Sequence, residues 1–497
     1  MIRITWKKNH KWLGLFFCFF MLMFCLSGIV LNHRSLVAEV NVSRNCLPSS
    51  YRFKNWNNGL LRGTLPYTGG DAGQSVLLYG NSGIWMTDSL ASSFADFNCG
   101  LPAGADYRNI KGMVQMPTGE LFAAGQFGIY RYGKGGNGGW VEVPLPMEEG
   151  ERLSDITNKG NLLMVAGRSR LYTAVAPYRT FKVHPLKAPA DYDGKVSLFR
   201  TVLMLHSGEM FGVAGKVLMD AVALILILLC VTGVLYWLLP KYIKKVKKAG
   251  HDTAQSVRLL KSSLSWHDKV GRTTIVLTLF ISLTGWCLRP PVLIALVQGK
   301  VPAVPGTSLD SPNPWHDKLR MIRYDEAADD WLLSTSEGFY ALKTPEGVPV
   351  KVKHTPPVSV MGLNVWQQDG QGRWLCGSFG GMFVWDRLHG TATDYSTGEP
   401  APKEAGAPFG KKAIAGYSRD FKNKECVAEY YTGTDFAPMP EELAGLPMSL
   451  WNLCLEVHTG RIYTILGQGT LIYIFFAGLA ALWCLWSGYA IRKKMKK

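Results

Sequence analysis

Apolar residues in this 497-residue chain gather in four runs, 13–31, 217–239, 273–288 and 471–491. Each is roughly 16–23 residues long, at or close to the length that carries a helix across a bilayer. The third run is the shortest, but its match to the first favours a span over a buried core helix. The pattern predicts membrane helices over 12–32, 216–239, 272–291 and 466–491. Between them lie two long segments, 33–204 and 292–456, and a basic stretch, 240–271, read as a connecting loop.

The spans repeat. His206-Ser-Gly, just before the second run, matches His458-Thr-Gly before the fourth; Gly215 matches Gly467 at the same offset, and Thr232-Gly233 matches Ser487-Gly488 with a slip of about one helical turn. In the first run His10 precedes Ser27-Gly28, and in the third His267 precedes Thr284-Gly285, with 18 residues from histidine to glycine in both (10 to 28, 267 to 285). Such ordered agreement points to internal duplication. The chain reads as two halves, each a helix out, an external segment and a helix back.

Within the external segments short apolar strands recur with turn residues between them. The lines at 77–88, 121–132, 162–174, 331–343 and 374–386 stack on one another. A small residue closes the first strand at Gly80, Gly125, Gly167, Thr335 and Gly377. Intervals of 42 to 45 residues with one apolar hairpin per unit are the pattern of propeller blades. The predicted fold class is therefore a membrane protein of four transmembrane helices in two repeated halves. Its two insertions are expected to assemble one all-β, propeller-like domain of roughly five to seven blades. Two small separate sandwiches are the alternative.

Net charge then fixes orientation. The segments before the first span, from Lys241 to Val270 and after the last span carry +4, +6 and +5, together +15 of the chain's +17. Lys and Arg beside span ends stay on the cytoplasmic side, so both termini read as cytoplasmic and both long segments as external, and a nucleic-acid role is excluded. The first run also fits a signal peptide, but no A-x-A site follows it, and it is read as retained. Five cysteines fall in spans and five outside, with Cys46–Cys99 and Cys426–Cys454 as candidate pairs.

Placed in a bilayer, the outbound helices put His10 and His267 at the inner face with Gly28 and Gly285 near the outer one. The inbound helices put His206 and His458 at the outer face, with Gly233 and Gly488 near the inner one. Each leaflet then holds two imidazoles, suited to the axial positions of a haem, and two glycines where a flat macrocycle could approach the backbone. Taken singly, an interfacial histidine or a Ser/Thr-Gly packing step is commonplace. Four histidines at repeat-equivalent ends, each opposite such a step, favour ligands. His33 is a further outer candidate, for a ligand position or for substrate. Asp220, just inside the second span, is a functional candidate or a partner for Lys216. Arg272 and Arg289 could meet haem propionates or simply snorkel. With no C-x-x-C-H motif, any haem, one or two, would be b-type and non-covalent.

The stretches H-K-W-L-G at 10–14, L-H-S-G at 205–208, H-D-K-V-G at 267–271 and V-H-T-G at 457–460 resemble the PepSY-associated transmembrane helix family. The resemblance covers the four spans and their flanks. It implies a bacterial inner-membrane protein with haem iron bound by His10, His206, His267 and His458, and with His33 at an additional family-like position. It also implies a periplasmic acceptor such as a ferric siderophore or other iron chelate, while a cytoplasmic reductant or flavoprotein would serve as donor. The propeller-like segments depart from the small external modules usual in that family. The expected function is electron transfer outward across the membrane. The rivals are a membrane-anchored propeller receptor or assembly module without redox chemistry, and a transporter.

Overall fold

A computed structural model of the chain describes residues 2–68, 75–133, 138–359, 361–404, 410, 412–422, 424–467 and 469–493. It divides into two units: a helical one, built from residues up to Val37, Asp193–Ser311 and the chain from Trp451, and a β-rich one, Ala38–Tyr192 with Pro312–Leu450.

In the helical unit the long helices are Ile2–Asn32, Gly212–Lys248 and Gly469–Lys493. Among the described residues, three segments are long and apolar enough to cross a bilayer: Trp6–Asn32, Glu209–Lys248 and Ile472–Ile491. The third expected span is instead a pair of helices, Ala254–Thr273 and Ile275–Cys287, bent by 70°. The bend falls at Thr273-Thr274, whose hydroxyls bond back to Lys269 O (2.8 Å) and Val270 O (2.9 Å). Such back-bonding commonly bends helices. Ile275–Cys287 alone reaches only about 20 Å at 1.5 Å per residue. The basic stretch 240–271, expected as a loop, is mostly helix, because the second span runs on to Lys248 and a new helix starts at Ala254. Cys25, Ala223 and Leu226 form a buried seam between helices. Phe16, Leu224, Val276 and Ile472 stay exposed on their outer faces, as lipid-facing side chains do.

Two short helices, Leu198–Ser207 and Leu450–Thr459, carry His206 and His458 close to their ends. Each gives way to a left-handed glycine (Gly208 φ 80°, Gly460 φ 76°) and then to a 3-10 turn. The turns end at Gly212, the first residue of its long helix, and at Gly467, two residues before the other; both have positive φ. This corrects the sequence match of Gly467 with Gly215, which lies inside the Gly212–Lys248 helix. Counted from the turn-ending glycines, Gly233 and Gly488 fall 21 residues on in both halves (212 to 233, 467 to 488). The apparent slip of one helical turn is three extra residues in the second connector.

The β unit is a series of antiparallel meanders. Sheet I starts at Gly63–Tyr67, sheet II at Gly112–Gln115, sheet III at Leu153–Lys159, sheet IV at Leu319–Asp325 and sheet V at Leu363–Gln368; each has four strands. Hairpin VI pairs Ile414–Phe421 with Lys424–Glu429. The apolar lines found in the sequence are the second and third strands of sheets I to V. Leu77 and Ile84 of sheet I pack on Leu121 and Trp140 of sheet II. Similar clusters join II to III, III to IV, IV to V and V to VI, and Val76 and Leu78 of sheet I meet Phe421 and Ala428 of hairpin VI. Close approach explains the small strand-ending residues: a Cβ on Gly80 would lie 2.1 Å from Leu60 O. Asn41–Val42 pairs with Met448–Ser449, tying the start of the unit to its end. No disulfide joins any of the ten cysteines, so neither Cys46–Cys99 nor Cys426–Cys454 is bridged. Cys426 lies in an apolar cluster without Cys454.

Sheets IV and V are also tied by charge. Arg387 reaches Asp325 (2.7 Å) and Asp330 (2.6 Å), with all three side chains largely buried. Burial works against the Arg387 charge, but the bonds to both carboxylates hold its pKa above the ordinary arginine value. Removing the guanidinium would leave two buried carboxylates without it. Arg387→Ala is expected to destabilise the β unit by about 3 kcal/mol, read as a lower Tm by circular dichroism.

Candidate functional site

The four histidines meet in two pairs. His10 and His267 stand with ring centroids 6.3 Å apart and planes at 71°. His206 and His458 stand 5.9 Å apart at 47°. The pairs contact opposite ends of the first helix: His10 belongs to it, and His458 packs on its Gly28. The 18 residues between put the two sites about 27 Å apart along that helix.

Each ring is held by the helix that crosses it. His10 Nδ1 lies 3.0 Å from Cys484 O and 3.1 Å from Ser487 Oγ. His458 Nδ1 lies 2.9 Å from Phe24 O and 3.1 Å from Ser27 Oγ. His206 Nδ1 is 3.1 Å from both Ile281 O and Thr284 Oγ1. His267 Nδ1 is 3.0 Å from Thr232 Oγ1, with the Leu229 backbone beside it. The four hydroxyls are buried.

This network sets the tautomer. A carbonyl oxygen has no proton to give, so the nitrogen facing it must be the donor. The hydroxyl protons are already committed to carbonyls of their own helices: Ser27 to Met23 (2.6 Å), Thr232 to Leu228 (2.7 Å), Thr284 to Phe280 (2.9 Å) and Ser487 to Cys484 (3.0 Å). The hydroxyl oxygens therefore accept from the imidazoles. Nδ1 carries the proton in all four rings, and Nε2, which makes no hydrogen bond among the described residues, keeps its lone pair. Metal-binding histidines are oriented in this way, by a hydrogen bond from the other ring nitrogen.

The glycines complete the arrangement in a way the sequence reading missed. That reading assigned them to a macrocycle, but the atoms they face are the rings. A Cβ on Gly28 would lie 3.1 Å from His458 Cε1, on Gly488 3.0 Å from His10, on Gly285 2.8 Å from His206 and on Gly233 3.5 Å from His267. Each Ser/Thr-Gly step is thus a seat for one imidazole, the hydroxyl holding Nδ1 and the missing side chain admitting the ring.

The donor set fits a haem. An imidazole–metal bond of about 2 Å puts a metal about 3 Å from each ring centre, so two rings sharing it stand about 6 Å apart. Both pairs match. Among the described residues no group of three or more His, Cys, Asp or Glu could hold a bare metal ion. A structural zinc site takes four protein ligands, whereas a macrocycle needs only axial ones from the protein.

His33 is not part of either pair. Its Nε2, the nitrogen a ligand would use, is bonded to Asp220 Oδ2 at 2.6 Å, while Asn32 holds Asp220 Oδ1 at 3.0 Å. Lys216 pairs with Glu209 (3.5 Å) and not with Asp220. Arg289 donates to His458 O (3.2 Å), and Arg272 pairs with Asp268 (3.1 Å) one turn back.

The helices and the insertion between them define a membrane-spanning protein with a β-rich unit. The model of the family described as the PepSY-associated TM region matches residues 2–239, the first helix through the second span. The family implied by the span-end motifs is the one found. No curated protein matches the chain. Solved structures give slight likenesses, including two of the extracellular domain of one B. thetaiotaomicron protein, described in one as a one component system (TM-score 0.33) and in the other as a hybrid two component system (TM-score 0.34). In both, identity is 10%, and the match covers 77% of this chain and 39% of the other. This chain therefore spans about two fifths of the length of those solved chains, and likeness at that level carries neither fold nor function across.

The seats differ in tightness, and that difference is measurable. Gly285→Ala must push His206 aside and is expected to cost about 1–3 kcal/mol. Gly233→Ala meets His267 only at ordinary contact distance and is expected to be neutral or to gain up to about 1 kcal/mol from helix propensity. Unfolding of the two variants in detergent, followed by circular dichroism, checks the order.

Proposed function

We propose that this chain is a four-span protein of the bacterial inner membrane that binds b-type haem and passes electrons across the bilayer. In this reading the bent helix pair supplies the third of the four spans, and both termini are cytoplasmic. His10 and His267 hold one haem near the cytoplasmic face, and His206 and His458 hold a second near the periplasmic face. The observation that carries the reading is that all four imidazoles are held through Nδ1, leaving Nε2 free of hydrogen bonds among the described residues, in two ring pairs with centroids 6.3 and 5.9 Å apart. Four unrelated packing histidines have no reason to share one tautomer and one spacing.

When bound, the haem supplies reversible one-electron chemistry. The chain's own residues supply ligation, burial and separation. Ser27, Thr232, Thr284 and Ser487 fix ring orientation, and the first helix sets the distance between the sites. A cytoplasmic reductant or flavoprotein is the donor in this scheme, and a periplasmic ferric siderophore or other iron chelate is the acceptor. We further infer that sheets I to V and hairpin VI are the blades of a six-bladed propeller in the periplasm. Support comes from the apolar clusters joining each sheet to the next and hairpin VI to sheet I.

Protein purified in detergent from haem-replete cells is expected to show b-type absorption bands that shift on reduction. His10→Ala and His206→Ala should each remove about half of the haem, and the double variant nearly all, because each pair would lose one of the two imidazoles that would hold the group. A colourless native preparation would remove the redox reading and leave a membrane-anchored receptor or assembly module.

A further inference from the structure

The His206–His458 pair has a charged neighbour that neither its seats nor its tautomers require. Arg289 lies four residues past Gly285 (285 to 289), the seat of His206, just beyond the end of the Ile275–Cys287 helix. Its Nη2 donates to the carbonyl of His458 at 3.2 Å. One guanidinium thus follows the seat of one imidazole and touches the residue that bears the other, and its charge acts on both rings. A snorkelling arginine carries its charge out to water. Arg289 is instead partly buried and turned onto the histidine-bearing helix.

The two halves of the repeat differ at this position. Four residues past Gly28 (28 to 32), the seat of His458, stands neutral Asn32, which is bonded to Asp220. The halves therefore bring equivalent rings and equivalent seats to this site, but a cation follows only one of the two seats. The nearby acids are engaged with other groups. Glu209 faces Lys216 (3.5 Å), Asp220 holds His33 and Asn32, and Glu456 takes Arg461 (2.9 Å). Arg461 also faces Arg289, as a like charge. Arg289 itself forms no ion pair among the described residues.

We infer that Arg289 is a positioning residue of the periplasmic-side site, whose charge favours the reduced state of the group held by His206 and His458. The inference rests on the electron-transfer reading and deepens it. Reduction of a ferric centre adds one electron, supplied by the cytoplasmic reductant of that scheme, and makes the site more negative by one charge, with no bond made or broken. A fixed cation beside the site stabilises that more negative state, and does so more strongly away from water than in it. The rival role is a structural one, since a cation also suits the last turn of the Leu450–Thr459 helix, where the His458 carbonyl lies.

Potentiometric titration of the haem absorption bands in detergent separates the two roles. Arg289→Gln keeps an N–H donor for the His458 carbonyl and loses the charge, while Arg289→Lys keeps both. The single transition left in His10→Ala identifies the periplasmic-side site. Arg289→Gln is expected to lower the midpoint of that transition by about 59 mV, a tenfold change in a one-electron equilibrium. The other transition should stay at its native value, and Arg289→Lys should lie close to the native protein at both. An unchanged midpoint in Arg289→Gln, an equal shift of both transitions, or an Arg289→Lys midpoint as low as that of Arg289→Gln would overturn the inference. If Arg289→Gln does not hold haem at that site, Arg289→Lys decides: a near-native midpoint supports the charge role and a tenfold drop overturns it. A native protein without haem removes the electron-transfer reading and this inference with it, whereas a haem-bearing protein whose midpoints ignore Arg289→Gln loses this inference alone.

Discussion

The helical unit depends on one repeated interaction: an imidazole from one helix seated on a Ser/Thr-Gly step of another, with Nδ1 donating to a backbone carbonyl. Two polar groups are paired inside an apolar setting, where an unpaired one would be costly. The glycine removes the side chain that would block the ring, and the hydroxyl, its proton already given to its own helix, adds a second acceptor. The same contact occurs four times, at both ends of both halves. Each is at once a packing contact and a device that fixes one ring nitrogen and leaves Nε2 without a hydrogen bond among the described residues.

Much of this was legible in the sequence. Helical periodicity makes the 18-residue step from histidine to glycine a statement about two ends of one helix, and a repeated step is hard to obtain by accident. What spacing alone did not reveal was which atoms the glycines face. A gap beside a helix is the same in sequence whether a macrocycle or an imidazole fills it. The match of Gly215 with Gly467 failed because equal offset from a histidine was counted across a connector of unequal length. The positive-φ glycines Gly212 and Gly467 are the true markers, and glycines that end 3-10 turns carry no sequence signature of their own. The bend at Thr273-Thr274 was hidden for a related reason, since threonine is compatible with a straight apolar run and also with a bent one.

In the β unit, central hairpins announced themselves through apolar strands closed by a small residue. The outer strands did not, because Phe94–Asp96 and Val350–Lys351 are short and largely exposed and need no hydrophobic pattern. Hairpin VI escaped because it has two strands where the other sheets have four.

The division of the β unit between two stretches of chain bears on how the protein is made. Sheets I to III come from the first stretch and sheets IV, V and hairpin VI from the second, and Asn41–Val42 finds its partner only at Met448–Ser449. Synthesis therefore delivers the first three sheets well before the surfaces that cover sheet III on one flank and sheet I on the other. Until the later stretch has been made, those flanks remain apolar and uncovered, open to wrong partners. A chain cut between the halves would leave both pieces with uncovered flanks, which makes co-expression of the fragments a stringent requirement for recovering either.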